Sequence, residues 1–145
     1  MKNYVVDSYE NYKEEDRLTT NNARKIEFIT TTRVFDEIIT SKCKILDCAA
    51  GTGIYAFWLA GKGHDVTATD MSLFEDETFD IVLNMGPFYH LITEEQREKC
   101  LSECLRVLKK GGFLVTAYIP RYYVFQYVAM SDEKYLDNVL ARQLV

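Results

Sequence analysis

The residues best suited to chemistry stand in one short run, residues 47–53, with the sequence DCAAGTG. The apolar stretch before it predicts a buried strand, and the apolar stretch after it predicts a helix. Glycines let backbone come close to a ligand, and a helix N-terminus presents free N–H groups. The order of strand, glycine-rich turn and helix therefore predicts a cradle for a nucleotide-like ligand, with the Asp47 carboxylate at the strand tip.

Further polar residues stand just after two later strand-like segments. Asp70 follows the second predicted strand of the chain, and residues 84–86 close the third. In parallel sheets, ligands bind beyond the carboxyl ends of the strands. We therefore expect Asp70 and residues 84–86 to lie beside the turn 47–53, with His90 nearby on the side of a second substrate.

The remaining pattern alternates strands and helices, which predicts right-handed crossovers and a parallel sheet. The expected fold is a single α/β domain, doubly wound, with a mostly parallel sheet flanked by helices. It divides into an N-terminal helical arm (1–40), a ligand-binding core (44–119) and a C-terminal helical segment (120–145). The predicted strands are 44–48, 65–69, 79–84 and 113–119, and the predicted helices are 22–39, 53–62, one from the capping box at Thr93 to about Leu108, and one from Ser131.

The composition and net charge of the chain limit the classes of binding partner. The chain has 145 residues with 48% hydrophobic content and a net charge of −5, so a basic face for a nucleic-acid backbone is not indicated. No apolar run approaches the length that spans a bilayer, and no secretory leader is visible. We expect a cytoplasmic protein with no nucleic-acid or membrane partner. The sequence does not indicate the oligomeric state.

The four cysteines form no metal-binding spacing with each other or with the two histidines, so no metal site is predicted. Cys100 and Cys104 stand four residues apart on a predicted helix and share one face. Two small core residues are the favoured interpretation, and a redox or metal pair is the alternative. Reduced thiols suit a cytoplasmic protein.

Four motifs in order resemble the class I S-adenosylmethionine-dependent methyltransferases, over roughly Ile45 to Tyr118. The run 47–53 resembles their first motif, with alanine at position 49 where glycine is usual. Asp70 matches their acidic residue after the second strand. Residues 79–84 (FDIVLN) and 108–114 (LKKGGFL) resemble their later strand and turn motifs.

The resemblance implies a Rossmann-like fold, S-adenosylmethionine as cofactor, and methyl transfer to a small-molecule acceptor. In this interpretation Asp47 accepts hydrogen bonds from the cofactor ammonium and Asp70 from the two ribose hydroxyls. His90 would take a proton from the acceptor. The expected cofactor contacts are Asp47, Ala49, Gly51, Thr52, Gly53, Asp70, Asn84 and Met85.

Each assignment has an alternative. Asp47 and the glycines could form a plain turn, Asp70 could be a surface acid, and His90 could bond a backbone carbonyl. The pattern Gly51-x-Gly53-x-x-Ala56 also satisfies a dinucleotide fingerprint, which keeps a nicotinamide-dependent oxidoreductase open. A non-catalytic binding module and a methyltransferase for RNA or protein are further alternatives. The tyrosines of residues 1–20 suit either a lid or a packing arm.

The connection between the second and third predicted strands is unusually short. Only residues 71–78 link them, whereas a parallel crossover normally takes a dozen or more residues and a helix. Members of the methyltransferase family that the chain resembles carry a helix and a further strand in this connection, and they carry further strands after the position of Tyr118. Either residues are missing between Asp70 and Met71 or the crossover is a shortened form, and we favour missing residues.

Overall fold

The computed structural model describes residues 22–120 and 122–123. The predicted arm before residue 22 and the predicted helix from Ser131 lie outside these ranges. The elements in chain order are α1 Asn22–Ile38, β1 Lys44–Asp47, α2 Ile54–Gly61, β2 Asp65–Ala68, a 3-10 turn Met71–Leu73, β3 Phe79–Asn84, the one-turn α3 Pro87–His90, α4 Glu94–Val107 and β4 Leu108–Thr116.

The four strands form one parallel sheet in the order β2-β1-β3-β4. Asp47 at the end of β1 pairs in register with Ala68 of β2 and with Leu83 of β3. Asn84 pairs with Thr116 of β4. The carboxyl ends of all four strands therefore meet at one edge, hereafter the carboxyl edge, as the sequence predicts.

The two faces of the sheet are covered by different elements, which makes the fold doubly wound. On one face α1 and α2 bury side chains of β1 and β3, and on the other face α4 and the connection 69–78 do so. The α2 face buries Phe35, Ile45, Tyr55, Leu59, Ile81 and Leu83. The α4 face buries Leu46, Phe79, Val82, Cys104, Val107 and Leu108.

Three apolar residues that helical spacing assigned to the core lie at the surface. Phe57 of α2 is 76% exposed, and Leu101 and Leu105 of α4 are exposed as well. α2 instead buries Tyr55 and Ala56 alongside Leu59. For Leu101 and Leu105 the reason is that α4 covers only the narrow sheet and the short connection 69–78, so one apolar stripe of the helix faces solvent.

The last strand starts five residues earlier than predicted. The sequence predicts that the helix reaches about Leu108 and that the strand starts at residue 113, but α4 ends at Val107 and β4 begins directly at Leu108. The strand is irregular here, since Phe79 pairs with Leu108 while Ile81 pairs with residue 113. Gly111, at φ +79°, lies in this irregularity.

The short connection is a shortened crossover, contrary to the favoured expectation of missing residues. The chain passes directly from Asp70 into the 3-10 turn and reaches β3 within eight residues. It runs across the α4 face, where Met71 and Phe74 pack on the core in place of a helix. The Phe74 ring meets the Phe79 ring edge-on at 4.8 Å. Two side chains thus do the covering that a crossover helix normally does.

Candidate functional site

The turn after β1 closes tightly around two glycines. The Gly53 N–H donates to the Ala50 carbonyl at 2.7 Å, and α2 begins directly afterwards. Gly51 and Gly53 have φ values of +53° and +77°. A side chain is disfavoured at such angles, so both glycines are required by the backbone. A Cβ added at Gly51 would meet no atom within 4 Å, which leaves the outer side of the turn open.

Asp47 lies beneath this turn and is only 2% exposed. One carboxylate oxygen accepts a hydrogen bond from the Ala49 N–H at 3.3 Å. Burial raises the pKa of Asp47 above its usual value, and the Ala49 bond offsets only part of that. A buried carboxylate with one long hydrogen bond is suited to a cationic partner, since a nearby positive charge would offset its desolvation.

Asp70 stands at the tip of the neighbouring strand in a contrasting environment. It is exposed, and its carboxylate accepts a 2.7 Å hydrogen bond from the Ser72 N–H. Hydrogen bonds from the Ser72 side chain and backbone hold the pKa of Asp70 below its usual value. The carboxylate is therefore ionised, accessible and oriented by the 3-10 turn that follows it.

Asn84 ends β3 fully buried, with its side chain on the α4 face. Its amide nitrogen lies 3.5 Å from the sulfurs of both Cys100 and Cys104. Its backbone carbonyl accepts from the Thr116 hydroxyl at 3.1 Å and from the Ala117 N–H at 3.3 Å. The side chain is thus held by α4. The oxygen of its side-chain amide, Oδ1, has no hydrogen-bond partner in the described part of the chain.

The residues after Asn84 form the far side of the same edge. Met85 packs against the core of the α2 face. The Tyr89 hydroxyl folds back over Gly86, where it would lie 3.3 Å from an added Cβ. His90 ends the one-turn α3, exposed, with its ring centroid 4.7 Å from that of Tyr89.

The structure places the predicted residues at one edge, in two groups. Asp47 and the turn belong to the buried β1 tip, whereas Asp70 and His90 are exposed on the flanking segments. Ala49 is half-buried and Thr52 is exposed in the turn. Sequence reasoning missed Ser72, which orients Asp70, and Arg106, which binds carbonyls of the connection. Neither forms a motif of residue types, because Ser72 donates from its backbone N–H and Arg106 binds backbone carbonyls of the connection.

A groove lies at the opposite end of the sheet from the carboxyl edge. It has a volume of about 480 Å³ and is lined by residues 76–77, 105–106 and 108–112. Its charged residues are paired: Arg106 with Asp76 at 3.0 Å, Lys110 with Glu77 at 3.4 Å, and Lys109 with Asp80 outside the lining at 2.8 Å. This groove therefore offers no unpaired charge and is separate from the carboxyl edge.

Residues 22–120 and 122–123 contain neither a metal-binding cluster nor a membrane-spanning helix. No cluster of three or more His, Cys, Asp or Glu side chains could hold a metal ion there. No helix in those residues is long and apolar enough to cross a membrane.

Comparison with known sequences gives methyltransferases throughout. A family model described as "Methyltransferase domain" matches residues 73–116. Glycine/sarcosine N-methyltransferase of Aphanothece halophytica is 32% identical over 102 residues, covering 50% of this chain and 38% of that protein. The tRNA (carboxymethyluridine(34)-5-O)-methyltransferase of Arabidopsis thaliana is 30% identical over 101 residues, covering 56% and 25%. The chain thus spans well under half the length of these curated relatives.

Solved structures agree on the fold. The PH0226 protein from Pyrococcus horikoshii OT3 superposes with a TM-score of 0.60 at 20% identity, covering 76% of this chain and 64% of that one. A S-adenosylmethionine-dependent methyltransferase from Thermotoga maritima, titled a possible histamine N-methyltransferase, superposes at 0.53 with 19% identity, covering 90% and 67%. At these identities the likeness concerns the fold alone.

Proposed function

Because the chain belongs to the class I S-adenosylmethionine-dependent methyltransferases, we propose that it binds S-adenosylmethionine at the carboxyl edge and transfers the methyl group to a small-molecule acceptor. The observation that carries the proposal is the buried Asp47 carboxylate under a turn whose two glycines have positive φ. A nearly isolated buried carboxylate is costly to a fold, and a ligand cation would offset that cost.

The residues present fit the chemistry of this cofactor. The ammonium group is a donor for Asp47, whose burial strengthens an ionic hydrogen bond. Two vicinal ribose hydroxyls can donate to the two oxygens of Asp70, which is exposed at the next strand tip. The open outer side of Gly51 lets backbone approach the amino-acid part. Ala49, Thr52, Gly53, Asn84 and Met85 complete the proposed contacts.

The protein's part in the reaction is to bind, align and exclude water. The sulfonium of the cofactor supplies an activated methyl group, so no covalent enzyme intermediate is needed. His90 is the proposed proton acceptor, since a neutral imidazole can accept a proton from an acceptor amine or hydroxyl near neutral pH. Its exposed position on α3 leaves it accessible from the carboxyl edge.

Charge distribution supports a small acceptor over RNA. Two acidic residues begin α4 at the carboxyl edge, Glu94 and Glu95, in addition to Asp47 and Asp70. The described lysines beside the strands lie at the other edge, among them Lys44 and Lys109. RNA binding depends on phosphate contacts from basic residues. One relative bears a tRNA methyltransferase name, so RNA is the competing acceptor class.

Isothermal titration with S-adenosylhomocysteine tests the cofactor site. We expect one binding site per chain, with affinity reduced at least tenfold by Asp47→Asn, because hydrogen bonds to charged groups contribute about 1.5–3 kcal/mol. Asp65→Asn is the matched control, since Asp65 is an exposed aspartate at the start of β2. Absence of binding by folded wild-type protein at high micromolar ligand would refute the proposal.

Methyl transfer is measured separately from binding. Transfer of labelled methyl groups is followed with a panel of small amines and hydroxy compounds and with total tRNA. Methyl transfer to a small compound supports the proposal. Methyl transfer to tRNA alone would show that the acceptor is RNA and not a small molecule. Binding without transfer to any acceptor would favour a non-catalytic binding module, an alternative to which the shortened crossover gives some weight.

We also propose a reducing, cytoplasmic location. All four cysteines are free thiols. The two on α4, Cys100 and Cys104, both contact the Asn84 amide nitrogen and form no disulfide. Free thiols persist in reducing compartments. Fractionation of cells expressing a tagged chain tests this location.

A further inference from the structure

Arg106, near the end of α4, uses all five of its N–H donors on the shortened crossover and its own helix. Nη2 donates to the Met71 carbonyl at 3.2 Å, and Nη1 donates to the Phe74 carbonyl at 2.8 Å. Further bonds go from Nη1 to Asp76 at 3.0 Å and from Nε and Nη2 to Glu103 at 3.0 and 2.9 Å. The carboxylates of Asp76 and Glu103 hold the guanidinium in place, so it serves as a fixed fork of donors.

The carbonyls that Arg106 binds belong to the turn that carries Asp70. Met71 and Phe74 bracket the single 3-10 turn, whose one backbone bond runs from the Phe74 N–H to the Met71 carbonyl at 3.2 Å. So short a helix leaves most of its end groups without internal partners. The turn therefore depends on groups outside it.

Backbone bonds from α4 hold only the far end of the connection. The Glu77 N–H donates to the Arg106 carbonyl and the Thr78 N–H to the Val107 carbonyl, each at 2.8 Å. At the near end the polar anchor is the Arg106 side chain, supplemented by the contact of the Met71 sulfur with Cys104 at 3.5 Å. A crossover helix, which would stabilise this end by its own hydrogen bonds, is absent from the connection.

We propose that Arg106 is a positioning residue for the cofactor ribose, acting through the Met71 carbonyl and the 3-10 turn to fix the carboxylate of Asp70. Asp70 immediately precedes Met71, and its carboxylate is oriented by Ser72 inside the same turn. Arg106 touches neither cofactor nor acceptor in this role. The inference rests on the proposed function, because it takes Asp70 as the ribose ligand.

A double-mutant cycle on S-adenosylhomocysteine affinity tests the coupling of Arg106 to Asp70. Arg106→Lys keeps the positive charge and removes the fork that reaches two carbonyls. We expect it to raise Kd about fivefold or more in the wild-type background and less than twofold in the Asp70→Asn background. Lys109→Ala is the control, because Lys109 pairs with Asp80 at 2.8 Å and does not contact the turn; its Kd should change less than twofold.

Hydrogen exchange of the free protein gives a second readout. Arg106→Lys should speed exchange in the peptide spanning residues 69–78 while the strands β1 and β3 keep their protection, which shows that the variant is folded. An equal loss of affinity in both Asp70 backgrounds, or unchanged exchange in that peptide, would overturn the inference and leave the proposed function standing. Failure of folded wild-type protein to bind S-adenosylhomocysteine would overturn both.

Discussion

Asp47 ends β1 in register with Ala68 of β2, so Asp70 stands just two residues beyond the same rung of the sheet. The two carboxylates are neighbours at the carboxyl edge, but their environments differ. Burial raises the pKa of Asp47, and hydrogen bonds from Ser72 lower the pKa of Asp70. The pair can therefore be separated experimentally by pH.

The affinity for S-adenosylhomocysteine should fall on acidification through the pKa of Asp47. An ammonium ligand favours the ionised carboxylate, so binding weakens as that group takes up a proton. Because the Asp47 pKa is raised and the Asp70 pKa is lowered, Asp47 titrates first. Titrations between pH 4 and pH 8 should show this loss in wild-type protein. The Asp47→Asn variant should show a flat profile over the upper part of that range, and an identical slope in both proteins would contradict the assignment.

Asp47→Asn should stabilise the free protein at neutral pH. A carboxyl whose pKa is higher in the folded than in the unfolded state opposes folding above its folded pKa, and that penalty disappears below its unfolded pKa of about 3.9. We expect a gain of about 1 kcal/mol at pH 7, or a few degrees in Tm. The gain should vanish near pH 4. Lower stability at neutral pH would show that Asp47 is already satisfied in the free protein.

Gly112 should not tolerate alanine. An added Cβ would lie 2.6 Å from the Asp80 carbonyl oxygen and 3.0 Å from the Lys109 carbonyl oxygen, both of which are backbone atoms that cannot rotate away. We expect Gly112→Ala to lower the free energy of unfolding by about 2–4 kcal/mol. Gly61→Ala is the matched control, since that Cβ meets nothing within 4 Å on α2. Urea unfolding compares the two, and equal stabilities would contradict the packing at β4.

Sequence patterns predicted the carboxyl edge well because its determinants are local. An acidic residue at the end of an apolar run and glycines before a helix define the β1 turn, and the structure has Gly51 and Gly53 at positive φ there. Parallel strands then bring Asp70 to the same edge. The cofactor roles of these residues remain predictions.

Other features depended on partners distant in sequence. Gly111 and Gly112 look like a helix stop, but pairing of β4 with β3 places them in an irregular strand. Leu105 has the spacing of a core residue, yet no element of the described structure covers it and it is 54% exposed. The spacing of Arg106 indicates only its pair with Glu103, because the carbonyl acceptors of Met71 and Phe74 are not encoded by residue type.

Asn84 should tolerate an apolar replacement better than an acidic one. Leucine would remove the side-chain carbonyl oxygen that has no partner among the described residues and would keep the branched shape of the side chain, so we expect a change within about 1 kcal/mol. Asn84→Asp would bury a carboxylate against the sulfurs of Cys100 and Cys104, whose own pKa values are raised. We expect a loss of about 3 kcal/mol at pH 8.

The Asn84→Asp loss should shrink on acidification. The new carboxyl would have a higher pKa in the folded state, so its penalty is full above that pKa and disappears below its unfolded pKa of about 3.9. Urea unfolding at pH 8 and pH 4.5 measures the difference, with Asn84→Leu as the control whose stability relative to wild type is independent of pH. A constant loss at both values would place the new side chain in solvent.

Gly86 should be constrained by Tyr89 and not by its own backbone. Its φ of 170° is extended and open to any residue, but an added Cβ would lie 3.3 Å from the Tyr89 hydroxyl oxygen. We expect Gly86→Ala to lower stability by about 0.5–1 kcal/mol. Tyr89→Phe removes the crowding atom, so the alanine should cost less in that background. Tyr122→Phe, at an exposed tyrosine, is the control that should not rescue. Equal costs in all three backgrounds would show that the Tyr89 hydroxyl does not rest on Gly86.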